Sequence, residues 1–138
     1  MSAPPAPLRP ISLAVVGAPY TNADGSNRQF EILLCKPGEE VMLRPEPRNT
    51  FDRNAIAVDS CRGIQIGYVT AERAPLLGSL LARTEVRAIF QRKASFGAWI
   101  RIAFDGMTPE LTDAMLVEHD EAADAEPEFY PDEEWPDD

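Results

Sequence analysis

The segment Glu46-Pro47-Arg48-Asn49-Thr50-Phe51-Asp52-Arg53-Asn54-Ala55-Ile56-Ala57-Val58 changes character midway. Its first half is a loop: Pro47 cannot donate to a sheet ladder, and Asn49 can hydrogen-bond its own backbone. Its second half, residues 55–58, is an apolar run that reads as a strand. A loop thus delivers one aromatic ring and several charges to the mouth of a strand. Phe51 lies among Arg48, Asn49, Asp52, Arg53 and Asn54, and two readings of it stand. Either the ring is offered to something flat, a nucleobase or a peptide, or it plugs the end of a barrel while Asp52 and Asn54 cap the turn.

Short strand signals flank this loop on both sides. Upstream, residues 11–17 read as a first strand stopped by Gly17 and Pro19. Tyr20 follows at once, then a turn-rich segment with the hairpin dipeptide Asp24-Gly25. Residues 28–35 read as a second strand with Phe30, Ile32 and Leu34 on one face, and residues 41–44 as a third after the turn Lys36-Pro37-Gly38-Glu39. Downstream, residues 55–59 and 64–69 read as strands four and five around Arg62-Gly63. One helix intervenes, with Thr70 as its cap and Leu76, Leu77, Leu80 and Leu81 as a stripe that closes the end of the barrel. Residues 86–92 and 98–104 form a last hairpin, in which Trp99 fits core or surface equally. Strands spaced by short turns predict an all-β chain, a small barrel or sandwich with one or two short helices.

The 138 residues suffice for one buried core. Residues 1–10 read as a disordered proline-rich leader, 11–105 as the barrel domain, and 106–138 as an acidic tail with a short helix at 109–120 started by Thr108-Pro109-Glu110. The net charge of −10 hides an asymmetry. Residues 1–105 hold all 13 Lys and Arg against 10 acids, a net +3, whereas residues 106–138 hold 13 acids and no Lys or Arg. Mild basicity in the folded part is compatible with phosphate binding. Cys35 and Cys61 form no framework and read as core fillers of a reduced, cytoplasmic chain. The apolar run at 11–18 is short for an export signal and too short for a membrane span.

Several chemistries find no support in the residues. There is no phosphate-cradling Gly-rich Lys-Ser/Thr loop. The single histidine, His119, lies in the acidic tail, so no metal-ligand cluster and no histidine base are expected in the domain. A carboxylate nuclease built from Glu46, Asp52 and Asp59 is disfavoured, because a strand separates Asp52 from Asp59. No catalytic residue, cofactor or metal is therefore expected, and a binding surface remains. Tyr20, Phe51 and Tyr68 lie at strand-loop junctions, with Arg44, Arg48 and Arg53 near the central loop. Stacking on such rings is worth about 1 to 3 kcal/mol per base. Asp52 accepts a hydrogen bond either from its own turn or from a sugar hydroxyl or base amino group.

Val15-Val16-Gly17, Tyr20, Gly38-Glu39, Val41-x-Leu43, the central Glu46-Pro47-x-Asn49-x-Phe51-Asp52-x-Asn54-Ala55-Ile56-x-Val58 and Ile66-Gly67-Tyr68-Val69 together resemble the HIRAN domain family. That family occurs at the amino end of fork-remodelling helicases, as stand-alone bacterial proteins, and fused to other DNA-processing modules. The resemblance implies an OB-like β-barrel that binds single-stranded DNA, at free 3′ ends in its best understood members, with a helicase or nuclease as partner protein. By the same resemblance Tyr20 contacts terminal nucleotides, Phe51 stacks where the family usually has Tyr, Asp52 receives the 3′-hydroxyl, and Tyr68 lines the groove. Arg48 and Arg53 are expected to hold phosphates. Pro19, Thr50 and Ala71 depart from the helicase members' Arg, Pro and Lys. A second class of reading is an adaptor whose acidic tail, with Phe129, Tyr130 and Trp135, docks on a partner protein, or folds back as a nucleic-acid mimic.

Overall fold

The structure, a computed structural model, describes residues 8–117. Its elements run β1 (Ile11–Val16), α1 (Arg28–Leu34), β2 (Glu40–Pro45), β3 (Ile56–Asp59), β4 (Gln65–Val69), α2 (Ala74–Arg83), β5 (Arg87–Ala94), β6 (Gly97–Ala103) and α3 (Asp113–Leu116). The six strands close into a barrel in the order β1-β4-β3-β2-β5-β6, every neighbouring pair antiparallel. Closure leaves no unpaired edge. Alternation puts Ile11, Leu13 and Val15 of β1 and Ile100 and Ile102 of β6 inside, where they meet Val58, Ile66, Phe90 and Phe104. Each such side chain, fully buried, stabilises the barrel by about 1.5 to 3 kcal/mol. α2 adds Ala74, Leu77 and Leu80 to the same core, in line with the predicted leucine stripe.

β1 is approached closely from both neighbours. A Cβ at Gly67 would stand 2.3 Å from the carbonyl oxygen of Val16, and one at Gly97 the same distance from that of Val15. These glycines let β4 and β6 reach β1, and so place Tyr68, which follows Gly67, beside Val16.

Four expectations need correction. Residues 28–34 form a helix, not a second strand: Asn27 caps it by accepting from the Phe30 N–H at 2.8 Å, and the buried face is Arg28, Glu31 and Ile32. Phe30, Leu33 and Leu34 are left exposed. Thr70 is not a side-chain cap of α2, which begins at Ala74 with Pro75 in its first turn. The helix expected to start at Thr108 starts after Thr112, and its Met115 carbonyl accepts from Gln91 Nε2 of β5 at 3.0 Å. Only Cys35 meets the core expectation in part, half-buried and packed against it, whereas Cys61 is exposed.

The sequence predictions for residues 1–7 and 118–138 fall outside the described residues. Among the described residues, no helix is long and apolar enough to cross a membrane.

Candidate functional site

The loop between β2 and β3 is built by its own polar side chains. Glu46 N–H donates to the Ala55 carbonyl at 2.8 Å and closes the base. Asn49 Oδ1 accepts from the backbone N–H groups of Phe51 (2.9 Å) and Asp52 (3.0 Å), the local bond its side chain predicts. Asp52 Oδ1 accepts from the Asn54 N–H at 2.8 Å, so the turn-capping role of this acid is real. No other hydrogen bond to the Asp52 carboxylate forms among the described residues. With the backbone so satisfied, the loop holds Phe51 outward, 98% exposed. The reading of Phe51 as a barrel plug is therefore wrong.

Glu46 ties this loop to the barrel wall. Its Oε1 accepts from Tyr68 Oη at 2.8 Å and Asn49 Nδ2 at 3.0 Å, and its Oε2 from Arg44 Nη1 at 2.8 Å. Burial alone would raise the Glu46 carboxyl, but the hydrogen bonds from Asn49, Tyr68 and Arg44 outweigh it and hold the group below its ordinary 4.5. A depressed folded-state value means the contribution is complete above 4.5 and is lost as the pH falls through the lowered value. In an NMR acid titration the Asn49 amide and Tyr68 ring signals are thus expected to move together below pH 4.5. The Glu46→Gln variant is expected to abolish that coupled step; separate titration of the two signals would show that Glu46 does not join them.

Arg44 also grips Asp59, at 2.9 and 3.1 Å. Its fork is thus shared between two carboxylates, Glu46 and Asp59. Glu46 and Asp59, weighed above as metal ligands, are likewise occupied by this arginine.

On the other side of Tyr68 stands a residue that the sequence reading missed. Arg28, 7% exposed, lies with its guanidinium 5.5 Å from the Tyr68 ring centroid, a cation-π distance. Its Nε donates to Asn22 Oδ1 at 2.6 Å and its Nη1 to the Gly17 carbonyl at 2.9 Å. The Gly17 carbonyl also accepts from Tyr20 N–H at 3.1 Å, so Arg28, which stacks on Tyr68, also holds the turn that presents Tyr20, 71% exposed. Asn27, a capping residue just before it, was the available signal.

The structure thus joins Tyr68 to the Phe51 loop through Glu46 and to the Tyr20 turn through Arg28. Arg48 and Arg53 are exposed on the same loop as Phe51 and Asp52. Arg48 lines an open depression with Glu46, Pro47 and Asn49.

A closed antiparallel six-strand barrel with an exposed ring on a stiffened inter-strand loop defines a small single-barrel domain. The chain belongs to the HIRAN domain family, whose profile matches residues 11–105. Its fold is similar to the crystal structure of the HIRAN domain of human HLTF, at TM-score 0.55 and 22% identity, covering 69% of this chain and 74% of that one. A crystal structure of a protein from Lactobacillus plantarum is similar at TM-score 0.52 and 19% identity, covering 67% and 91%. An NMR structure of the HLTF HIRAN domain in its DNA-bound conformation gives TM-score 0.49 and 23% identity, covering 69% and 73%. No curated protein sequence matches the chain. The OB-like barrel expected from the resemblance is the fold observed.

Proposed function

We propose that this chain is a non-catalytic DNA-binding module that takes single-stranded DNA at a free 3′ end, in repair or replication-fork processing. The observation that carries the reading is Phe51, a ring left 98% exposed on a loop whose backbone is otherwise bonded to itself. Such a ring forgoes about 1.5 to 3 kcal/mol of burial, which a stacked base would restore. Tyr20 and Tyr68 supply further ring surface, and Arg48 and Arg53 the phosphate contacts. Asp52 caps its turn through Oδ1 and has Oδ2 left to accept from a 3′-hydroxyl. The net +3 of residues 1–105 favours an anionic ligand.

Fluorescence anisotropy with three oligonucleotides tests this: a free 3′-hydroxyl end, the same end blocked by phosphate, and a blunt duplex. Tightest binding to the free end is expected, since a terminal phosphate would meet the Asp52 carboxylate. Equal affinity for the first two would remove end recognition by Asp52. Binding of none would move the assignment to the adaptor reading, with a helicase or nuclease as the partner to seek. α3 packs on β5, so a truncation that probes the acidic segment belongs after residue 117, not at 105. Removing the 11 acids of residues 118–138 is expected to tighten DNA binding at low salt if that segment competes for Arg48 and Arg53.

A further inference from the structure

Two thiols remote in sequence touch one guanidinium. Arg62 Nη1 lies 3.7 Å from Cys61 Sγ, and Nη2 lies 3.6 Å from Cys35 Sγ. Cys35 ends α1, and Cys61 stands in the turn between β3 and β4. The third nitrogen, Nε, is held by buried Glu31 at 2.6 Å, which fixes the guanidinium where both sulfurs meet it. The two thiols differ in access. Cys61 is exposed, whereas burial pushes the half-buried Cys35 thiol up to about 11 against the pull of Arg62. That difference in access orders the pair: Cys61, open to solvent, meets the oxidant first, and Cys35 resolves.

We propose that Cys35 and Cys61 form an intramolecular disulfide when the chain meets a disulfide oxidant of the oxidised-glutathione class. The Cys61 thiolate attacks one sulfur of oxidised glutathione, forming a mixed disulfide and expelling one glutathione thiolate. The Cys35 thiolate then attacks Cys61 Sγ and expels the second. Two protein thiols are oxidised, one glutathione disulfide is reduced to two glutathione thiols, and the two protein protons pass to the departing thiolates. As the sulfurs close, the two Nη groups of Arg62 swing toward solvent while Nε keeps its bond to Glu31, the side chain being 37% exposed. The bond clamps α1 to the β3–β4 turn and closes a loop that contains β2, the Phe51 loop and β3. At its other end α1 carries Arg28 against Tyr68, so oxidation fastens the element that backs the aromatic site. The oxidised form is expected to melt at higher temperature than the reduced form.

The test treats the full chain with oxidised glutathione, blocks remaining thiols with iodoacetamide, and maps tryptic peptides without reduction. Arg48 and Arg53, neither followed by proline, separate the two cysteines, so they fall in different tryptic peptides. The expected result is loss of both free thiols and one cross-linked peptide pair that dithiothreitol releases. Cys35→Ser is expected to stop at a stable glutathione adduct on Cys61. A lasting adduct on Cys61 with Cys35 alkylated in the unmutated chain, or a dimer joined through Cys61, would overturn the proposal. So would alkylation of both thiols. The wild-type map decides the matter even where the variant folds poorly.

Discussion

Phe51→Ala is expected to weaken single-strand binding by about 5- to 150-fold, the equivalent of about 1 to 3 kcal/mol for one stacked base, with no fall in thermal midpoint. The two halves of that expectation rest on different atoms. The ring is 98% exposed and contributes little to the core, so its removal leaves no cavity. The loop is held by backbone N–H groups of residues 51 and 52 on Asn49 Oδ1, and alanine keeps both. Anisotropy titration beside thermal denaturation checks both halves. Phe51→Tyr should retain binding, because a phenol stacks as well as a phenyl. Unchanged affinity in Phe51→Ala would end the stacking account, whatever the stability did.

Arg62→Ala is expected to lower the thermal midpoint clearly, because it leaves a buried carboxylate without its countercharge. Glu31 is 2% exposed and accepts from Ser60 Oγ and Arg62 Nε, each at 2.6 Å. Without Arg62 the buried carboxylate keeps one hydroxyl and no countercharge. The loss is limited because Arg62 reaches solvent, and water can enter from its side. The reverse change, Glu31→Ala, should cost less, since Arg62 can turn outward and resolvate while only the Ser60 hydroxyl loses its partner. Urea denaturation of both variants gives the order. A greater loss in Glu31→Ala would mean that packing of α1, not the stranded charge, dominates. DNA affinity need not follow either change, since neither residue faces the ring-bearing loop.

The strands could be read from the sequence because their physics is local. Ile11, Leu13 and Val15 alternate, as do the inward residues of β6, and Gly17, Gly63 and Gly106 mark turns after β1, β3 and β6. The Phe51 loop was equally legible: Asn49 and Asp52 bond to backbone within three residues of themselves, which neighbours in sequence suffice to predict. Its resemblance to a family motif added a role for those residues. α1 was misread for a physical reason. Its buried face carries Arg28 and Glu31, while Phe30, Leu33 and Leu34 face water, the reverse of the pattern on which periodicity depends.

The sequence alone determined the β-rich architecture and the stiff loop, since each follows from alternation, turn chemistry or a side chain bonding its own backbone, whereas the outward setting of Phe51 was decided by the structure. Only the tertiary structure decided that residues 28–34 coil, because burying two charges is tolerable only where distant partners await them: Asn22 and Tyr68 for Arg28, and Ser60 and Arg62 for Glu31. It likewise decided that Glu46 joins Tyr68 to the Phe51 loop and that Arg62 gathers Cys35 and Cys61. Most of these contacts cross the barrel between elements far apart in the chain, and barrel closure is what brings such residues within reach of one another.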